Sequence, residues 1–353
     1  MTAIGHSRPP SKRQPRRPVH GVLLVDKPRG PSSTQLLGRL KAIFRAEKAG
    51  HGGTLDPIAT GLLPILFGEA TKFAQAGLDA DKSYRATIRL GQTSTTGDAE
   101  GILSSPVEVA CGLSEIEATL ADCLGAQKQV PPMYSALKHQ GRPLYAYARA
   151  GQEIERTARL ITIYAMRLVS WQTPDLVVEV RCSKGTYIRS LAETIGARLG
   201  CGGYLLALRR TGLAEFVEDD LVSMETIAAS ESLSNPGADG SSIGLVGYAP
   251  LDRLLLPIDA LIASWPEVAL SDAQSKDFIQ GRRLACALAI SPPASGQGIR
   301  VKDSQHRFLG IGQFSLGVLS PKRLVASDFS STFSSLGDIT HAPAAQHRDH
   351  CPR

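Results

Sequence analysis

Several features that mark large classes of proteins are missing from this sequence. Its 353 residues contain no apolar run near the roughly 18 needed to cross a membrane, and the best candidate covers only residues 61–67. The first 19 residues lack the apolar stretch of a signal peptide. None of the six cysteines forms a Cys-x-x-Cys pair, which argues against a structural zinc site or a disulfide framework. We therefore expect a protein of the reducing cytoplasm.

Common catalytic and nucleotide-binding motifs are also missing. The chain has no Gly-x-Ser-x-Gly elbow for a serine nucleophile and no dinucleotide fingerprint. It has no glycine-rich loop ending in Gly-Lys-Ser/Thr that would cradle a phosphate. The 42% hydrophobic and 20% charged content is nevertheless that of a globular protein, so a wholly disordered chain is excluded.

Acidic residues are absent before Asp26, and this changes what the net charge of +6 means. Five positive charges lie in residues 1–19, so residues 20–353 carry only +1 and a nucleic-acid surface there must be a local patch. Residues 130–142 interleave aromatic and basic side chains in a way that suits RNA loops. We expect residues 1–19 to be a disordered basic arm, either a solvated tail or a contact for nucleic acid.

Hydrophobic periodicity predicts strands and helices in an irregular order. Helices are indicated over residues 33–46 and 187–199, and a Ser114–Glu117 capping box predicts another through Leu124. Strands are indicated over 21–26, 82–90, 160–171, 175–182 and 204–208. Since no regular βαβ period exists, we expect an α+β fold with a mixed, largely antiparallel sheet.

The pattern predicts two domains. Residues 20–253 hold the long elements, with a Ser/Gly/Pro-rich loop over 231–243 that is expected to be mobile. Residues 254–326 contain short strands, which indicates a small β-rich domain. Residues 327–353 lose all periodicity and are expected to be a disordered tail.

The segment HGGTLDPIATG, residues 51–61, is the densest candidate for chemistry. Its glycines permit backbone conformations that are closed to other residues. Two interpretations remain open for Asp56. It caps a short helix that begins at Pro57, or it presents its carboxylate at a cleft on a loop that the glycines shape.

The segment CSKGTYIRSL, residues 182–191, ends a strand and opens a helix. Arg189 either forms a solvated i,i+4 pair with Glu193 or points inward to hold a buried carboxylate. Tyr84 lies on the apolar face of its strand and is by default a core aromatic residue. Leu208 is by default a core leucine, and the two arginines that follow it are surface charges by the same default reading.

Five ordered segments resemble the bacterial TruB family of tRNA pseudouridine synthases. They run from about residue 21 to 216 and read GVLLVDKPRGPSS, HGGTLDPIATGLLPILFGEATKF, KSYRATIRLGQTSTTGDAEG, VPPMYSALKHQGRPLYAYARAG and CSKGTYIRSLAETIGARLGCGGYLLALRRTG. After residue 254 the resemblance thins, and GIRVKDSQHRFLGIGQF and LSPKRLV resemble the small PUA-like, RNA-binding module of the family.

The resemblance implies a site, position by position. Asp56 matches the catalytic aspartate, and Tyr84 matches the tyrosine that stacks on the target uracil. The remaining matches are pocket or contact residues: Tyr187, Arg189 and Leu208 in the pocket, His51 beside the flipped base, and Lys27 with Pro28 in a turn that supports the pocket.

The resemblance also implies a reaction, the isomerisation of uridine 55 in the TΨC loop of tRNA to pseudouridine, by base flipping and without metal or organic cofactor. Arg189 would keep Asp56 ionised through a bidentate ion pair. Whether the carboxylate acts as a nucleophile or through a glycal stays open. We expect a monomer that binds the T arm without a membrane or an obligate protein partner. The alternative is a non-catalytic tRNA-binding or tRNA-folding protein.

Overall fold

The structure is a computed structural model that describes residues 16–234, 247–285 and 298–326. The chain divides into two compact units, Met1–Ala263 and Ser264–Arg353. The expected boundary between residues 253 and 254 falls ten residues before this division. The following residues stay with the first unit because Leu256 pairs with Val22 and because Ile258, Leu261 and Ile262 are buried. In the described ranges, no helix is long and apolar enough to cross a membrane.

Strands and helices alternate irregularly in the first unit. Its strands are β1 (Gly21–Lys27), β2 (Ala49–His51), β3 (Ala59–Phe67), β4 (Lys82–Leu90), β5 (Gly125–Gln129), β6 (Lys138–His139), β7 (Arg142–Pro143), β8 (Arg159–Gln172), β9 (Asp175–Cys182), β10 (Gly203–Leu213) and β11 (Phe216–Val217). Its α-helices are α1 (Ser33–Ile43), α2 (Ala74–Asp79), α3 (Leu113–Asp122), α4 (Leu144–Ala148), α5 (Ile188–Arg198), α6 (Met224–Ser234) and α7 (Ala249–Asp252). Short 3-10 helices in the described part of this unit span Gly68–Phe73, Glu218–Asp220 and Ala260–Ile262.

Among the described residues of this unit, nine strands form one sheet. The order is β1-β3-β10-β4-β9-β8-β5, with β2 paired to β3 and β11 paired to β10. Within the described part of the chain, β3 and β10 are the pair that runs parallel, and the other neighbours in this sheet run antiparallel. This confirms the α+β class with a mixed, largely antiparallel sheet.

The core lies on the sheet face that α1, α3 and α5 cover. Tyr84, Ala86, Ile88 and Leu90 alternate on β4 and are all buried, as the sequence pattern predicts. Helix α5 packs closely on the start of β10. At Gly196 the two backbones are so near that a Cβ atom would overlap the backbone of Gly202 and Gly203. The sheet therefore fixes the position of α5 and of the side chains in its first turn.

Helices α1 and α3 have ends that differ from the sequence expectation. Helix α1 ends at Ile43 instead of continuing to residue 46, and Arg45 takes a left-handed conformation with φ of 51°. Helix α3 begins at Leu113, and the Glu115 carboxylate accepts a hydrogen bond from the Gly112 N–H. The predicted Ser114–Glu117 capping box is therefore wrong, because glycine occupies the cap position two residues earlier.

The expected flexible segments are only partly within the described residues. Of residues 1–19, those from 16 onward belong to the fold: Val19 is buried, and the Arg17 guanidinium donates to both oxygens of Asp252 at 2.6 and 2.7 Å. Residues 231–234 form the end of α6 instead of a loop. Residues 1–15, 235–246, 286–297 and 327–353 lie outside the described residues.

The second unit is small and rich in strands, as expected. It contains β12 (Glu267–Ala269), α8 (Asp272–Ile279), β13 (Leu284–Ala285), β14 (Ile299–Lys302), β15 (Phe308–Ser315) and β16 (Val318–Leu324). The strands form one sheet in the order β12-β14-β15-β16-β13. Its own core includes Phe278, Ile299, Val301 and Leu319, all fully buried.

Candidate active site

Asp56 lies on the loop that connects β2 to β3. The chain turns after it, with the Ala59 N–H donating to the Asp56 carbonyl at 3.0 Å, and leads into a strand. The interpretation of Asp56 as a helix cap is therefore wrong. The loop is held from the side by Ser33, whose hydroxyl donates to the Leu55 carbonyl at 2.9 Å and accepts from the Leu55 N–H at 2.8 Å.

Lys27 holds the same loop from below. Its side chain is fully buried, and the ammonium donates to the carbonyls of Ala59 at 2.7 Å, Pro28 at 3.0 Å and Pro57 at 3.4 Å. Burial lowers the pKa of Lys27 to about 8, and the negative charge of Asp56 opposes this change. Lys27 therefore supports the turn that carries Asp56 and lies beneath the site rather than on an open surface.

Arg189 points into the protein and reaches Asp56. Its side chain is 5% exposed, and the distance between its Nη2 atom and Asp56 Oδ2 is 3.0 Å. The same guanidinium donates to the carbonyls of Tyr134 at 2.5 Å and Thr96 at 3.1 Å, and its Nε atom lies 3.6 Å from Asp98 Oδ2. The ion pair with Asp56 is confirmed and the surface pair with Glu193 is wrong. The expected bidentate grip is also wrong, because the guanidinium divides its donors among four partners.

The surroundings of the Asp56 carboxyl shift its pKa in opposite directions. Burial raises its pKa, the Arg189 guanidinium lowers it, and the negative charge of Asp98 raises it again. The side chain of Asp56 nevertheless keeps 46% of its surface open, whereas that of Asp98 keeps 5%. Asp56 is therefore the carboxylate of this group that a bound molecule can reach.

Tyr84 lies on β4 directly opposite Arg210 of β10. Burial raises the pKa of the Tyr84 hydroxyl, the positive charge of Arg210 opposes this change, and the charge of Asp56 adds to it. Leu208 stands two residues before Arg210 and pairs with Ala86 on one side and Ala59 on the other. Leu208 therefore lies on the strand next to the beginning of β3, which follows the loop of Asp56, and Tyr84 lies on the next strand of the sheet.

Tyr187 and His51 complete the set of expected site residues. Tyr187 is the residue before α5, and burial, with a smaller contribution from the charge of Asp56, raises the pKa of its hydroxyl. His51 ends β2, and burial lowers the pKa of its imidazole, which is therefore neutral at pH 7. Its Nδ1 atom is buried without a hydrogen-bond partner in the described part of the chain.

Sequence reasoning missed two charged residues of this site. Arg210 is 1% exposed, and its Nε atom donates to the Leu62 carbonyl at 2.6 Å, so the expectation of a surface charge is wrong here. The period of two along a strand offered a signal, because it places Arg210 on the same face as Leu208. Asp98 as a whole residue is 3% exposed, and its carboxylate accepts a hydrogen bond from the Thr96 hydroxyl at 2.6 Å. It lies in an irregular loop, where no periodicity could indicate burial.

The arrangement joins an accessible carboxylate to a buried guanidinium that favours its ionised form, and the charge of the carboxylate raises the pKa of the Tyr84 and Tyr187 hydroxyls. A carboxylate in this setting can add to an electrophilic carbon or remove a proton.

The fold is shared with solved structures of the Cbf5 type. A crystal structure of a Cbf5-Nop10-Gar1 complex matches with a TM-score of 0.67 at 23% identity, covering 88% of this chain and 87% of that one. A structure of an H/ACA RNP bound to a substrate RNA matches with a TM-score of 0.64 at 22% identity, covering 86% and 84%. The chain therefore shares the fold of these proteins.

The sequence comparisons define the family within this fold. Three family models match in succession: the N-terminal domain of TruB family pseudouridylate synthase over residues 41–188, the C-terminal domain of tRNA pseudouridylate synthase B over 189–263, and the C-terminal part of pseudouridine synthase II TruB over 266–325. Proteins named tRNA pseudouridine synthase B from Burkholderia mallei and Cupriavidus metallidurans are each 48% identical. They cover 90% and 92% of this chain and are themselves covered over 98% and 99% of their length. The chain belongs to the TruB family of pseudouridine synthases.

Proposed function

We propose that this enzyme isomerises uridine 55 in the TΨC loop of tRNA to pseudouridine and that Asp56 is the carboxylate on which the reaction depends. The observation that carries the proposal is the Asp56–Arg189 ion pair, in which the guanidinium is buried and the carboxylate is 46% exposed. The name that its 48% identical relatives carry, tRNA pseudouridine synthase B, supports tRNA as the substrate.

The reaction breaks the bond between N1 of uracil and C1′ of the ribose and forms a bond between C5 and C1′. C5 loses a proton and N1 gains one, so the isomerisation is redox-neutral and consumes no co-substrate. Asp56 supplies the carboxylate, either as a nucleophile or as a base toward the sugar, and Arg189 keeps it ionised. Tyr84 and Leu208 enclose the flipped base and offset the few kcal/mol that unstacking costs.

RNA binding is assigned to local basic surface. In the segment between β5 and β8, Arg142 lies over the ring of Tyr147 at 4.6 Å, and Arg149 lies over that of Tyr145 at 5.5 Å. Such planar, cationic and aromatic groups stack on unpaired bases and pair with phosphates. The second unit and the basic arm are proposed as further RNA contacts. We propose a cytoplasmic monomer that requires no membrane, cofactor or obligate protein partner.

The test replaces Asp56 by asparagine, which keeps shape and removes the charge. The control is Asp122→Asn, an exposed carboxylate at the end of α3. Tritium release from a tRNA transcript that carries 5-tritiated uridine measures turnover, and filter binding measures affinity. We expect Asp56→Asn to abolish release with tRNA affinity unchanged, and the control to match wild type.

A transcript with cytidine at position 55 tests the target. It should release no tritium, and release at the normal extent would place the reaction elsewhere. Turnover of Asp56→Asn within tenfold of wild type would remove the essential role of Asp56. A wild-type protein that binds tRNA but releases no tritium would favour the alternative of a non-catalytic tRNA-binding protein.

A further inference from the structure

The side chain of Gln129 holds the start of α5. Gln129 is the last residue of β5, where it pairs with Arg159 of β8. Its amide oxygen accepts from the Tyr187 N–H at 2.8 Å, and its amide nitrogen donates to the Tyr187 carbonyl at 3.0 Å. One side chain therefore satisfies both backbone polar groups of the residue that precedes the helix.

The Tyr187 carbonyl has a second task. It accepts the hydrogen bond from the Leu191 N–H at 3.1 Å, which is the first bond of the α5 ladder. The N–H groups at a helix start lack partners inside the helix, so their surroundings determine how the first turn is placed. The side chain of Tyr187 forms no cap of its own. Gln129 thus ties the first turn of α5, two residues before Arg189, to the central sheet.

The chain that continues from β5 reaches Arg189 directly as well. The Tyr134 carbonyl accepts from Arg189 Nη2 at 2.5 Å, and this is the same nitrogen that lies 3.0 Å from Asp56. The segment from Gln129 to Tyr134 therefore holds the backbone of α5 at one end and the guanidinium at the other. The contacts of this segment with the Tyr187 backbone and with the Arg189 guanidinium therefore move together. A shift of the first turn of α5 changes the distance between Arg189 and Asp56.

We propose that Gln129 is a positioning residue of the reaction, which sets the place of Arg189 and Tyr187 against Asp56 through its two hydrogen bonds to the Tyr187 backbone. The inference rests on the proposed role of Asp56. A displacement of about 1 Å at a reacting group can lower a rate about a hundredfold. We expect loss of the two bonds to lower the single-turnover rate about tenfold to a hundredfold.

Two substitutions remove the bonds in different ways. Gln129→Glu keeps the shape but loses the donor to the Tyr187 carbonyl, and Gln129→Met loses both bonds without adding charge. Gln127 is the matched control, because it lies two residues earlier on the same face of β5 and its amide donates to the Cys123 carbonyl at 2.7 Å, away from Asp56. The same two substitutions are made there.

The measurements are single-turnover rate, tRNA affinity and thermal unfolding. We expect both Gln129 variants to react slowly, with affinity and melting temperature equal to those of the Gln127 variants. In an Arg189→Lys background the Gln129 substitutions should cost less than threefold, because residues that act through one another are not additive. The proposal is overturned if the Gln129 variants react as fast as the Gln127 variants. It is also overturned if the rate losses from the Gln129 substitution and from Arg189→Lys multiply fully in the double variant, or if a lower melting temperature accounts for the slow rate.

Wild type and Asp56→Asn are measured in the same series. If wild type turns over and Asp56→Asn does not, while the Gln129 and Gln127 variants agree, the positioning role alone is overturned. If wild type is inactive or Asp56→Asn is active, the proposed role of Asp56 fails and the inference fails with it.

Discussion

Replacing Arg189 by lysine keeps a positive charge and removes the planar guanidinium. In the structure its Nη2 atom reaches Asp56 at 3.0 Å and the Tyr134 carbonyl at 2.5 Å, and its Nη1 atom reaches the Thr96 carbonyl at 3.1 Å. An ammonium group presents its donors from one atom and cannot satisfy partners that lie on several sides. At least one charge-assisted hydrogen bond is therefore lost.

The expected magnitude follows from that bond. Hydrogen bonds to charged groups contribute about 1.5–3 kcal/mol. If the contact with Asp56 is lost, the barrier rises by this amount, and the single-turnover rate falls about tenfold to a hundredfold. The control is Arg198→Lys, an exposed position near the end of the same helix, and it should leave the rate unchanged.

The pH dependence separates charge from geometry. In the proposed reaction Asp56 acts in its ionised form, and Arg189 lowers the pKa of that carboxyl. Arg189→Met removes this effect, so the pKa of Asp56 rises further and the acid limb of the rate profile moves to higher pH. Arg189→Lys retains the charge and should move the limb less. An Arg189→Lys rate within twofold of wild type, or an unmoved acid limb in Arg189→Met, would refute this reasoning.

Three further predictions concern Tyr84, residues 1–15 and Gly61 of β3. Tyr84→Phe should keep tRNA affinity and slow the single-turnover rate, whereas Tyr84→Ala should lose both, since base–aromatic stacking contributes about 1–3 kcal/mol; a Tyr84→Phe rate equal to wild type would exclude a role for the hydroxyl. Deleting residues 1–15, which leaves the Arg17–Asp252 pair intact, should make the salt dependence of tRNA binding shallower, and an unchanged slope would mean a solvated tail. Gly61→Ala should lower the melting temperature more than Gly141→Ala, because both glycines have positive φ but only at Gly61 would a Cβ overlap backbone, that of Arg210; equal melting temperatures would contradict this steric argument.

The sequence predicts the elements of this fold better than their ends. Strand β4 matches its alternation residue for residue, because alternate side chains of a sheet strand face the core. The start of α3 was misplaced because Gly112 has no side chain to reveal a cap, although the Glu115 carboxylate completes the turn. The sequence also leaves the structure after Asp56 undecided, because an Asp-Pro pair is compatible with the start of a helix and with a turn that leads into a strand.

The site required information that local patterns do not contain. The i,i+4 spacing of Arg189 and Glu193 is equally compatible with a surface pair, and the resemblance to a family indicated the contact with Asp56. Asp98 could not be identified because its burial depends on how an irregular loop folds against α5. The burial of Arg210 could have been predicted, because this residue shares a strand face with Leu208. Charged residues are rarely buried, however, and for that reason the sequence analysis places Arg210 on the surface.

The burial of two lysines, Lys27 beneath the loop of Asp56 and Lys82 at the start of β4, predicts that RNA binding is coupled to the uptake of protons. Lys27 and Lys82 are 0% and 9% exposed, and in the described part of the chain their ammonium groups donate to backbone carbonyls rather than to carboxylates. Burial lowers both pKa values to about 8, below the ordinary 10.5, so both lysines oppose folding while they are charged and cease to do so as the pH rises from about 8 to 10.5. A polyanion bound near these lysines would favour their charged forms. Near pH 8 the protein should therefore take up protons when it binds RNA, and its affinity should fall with rising pH by an amount that the phosphate contacts alone do not explain.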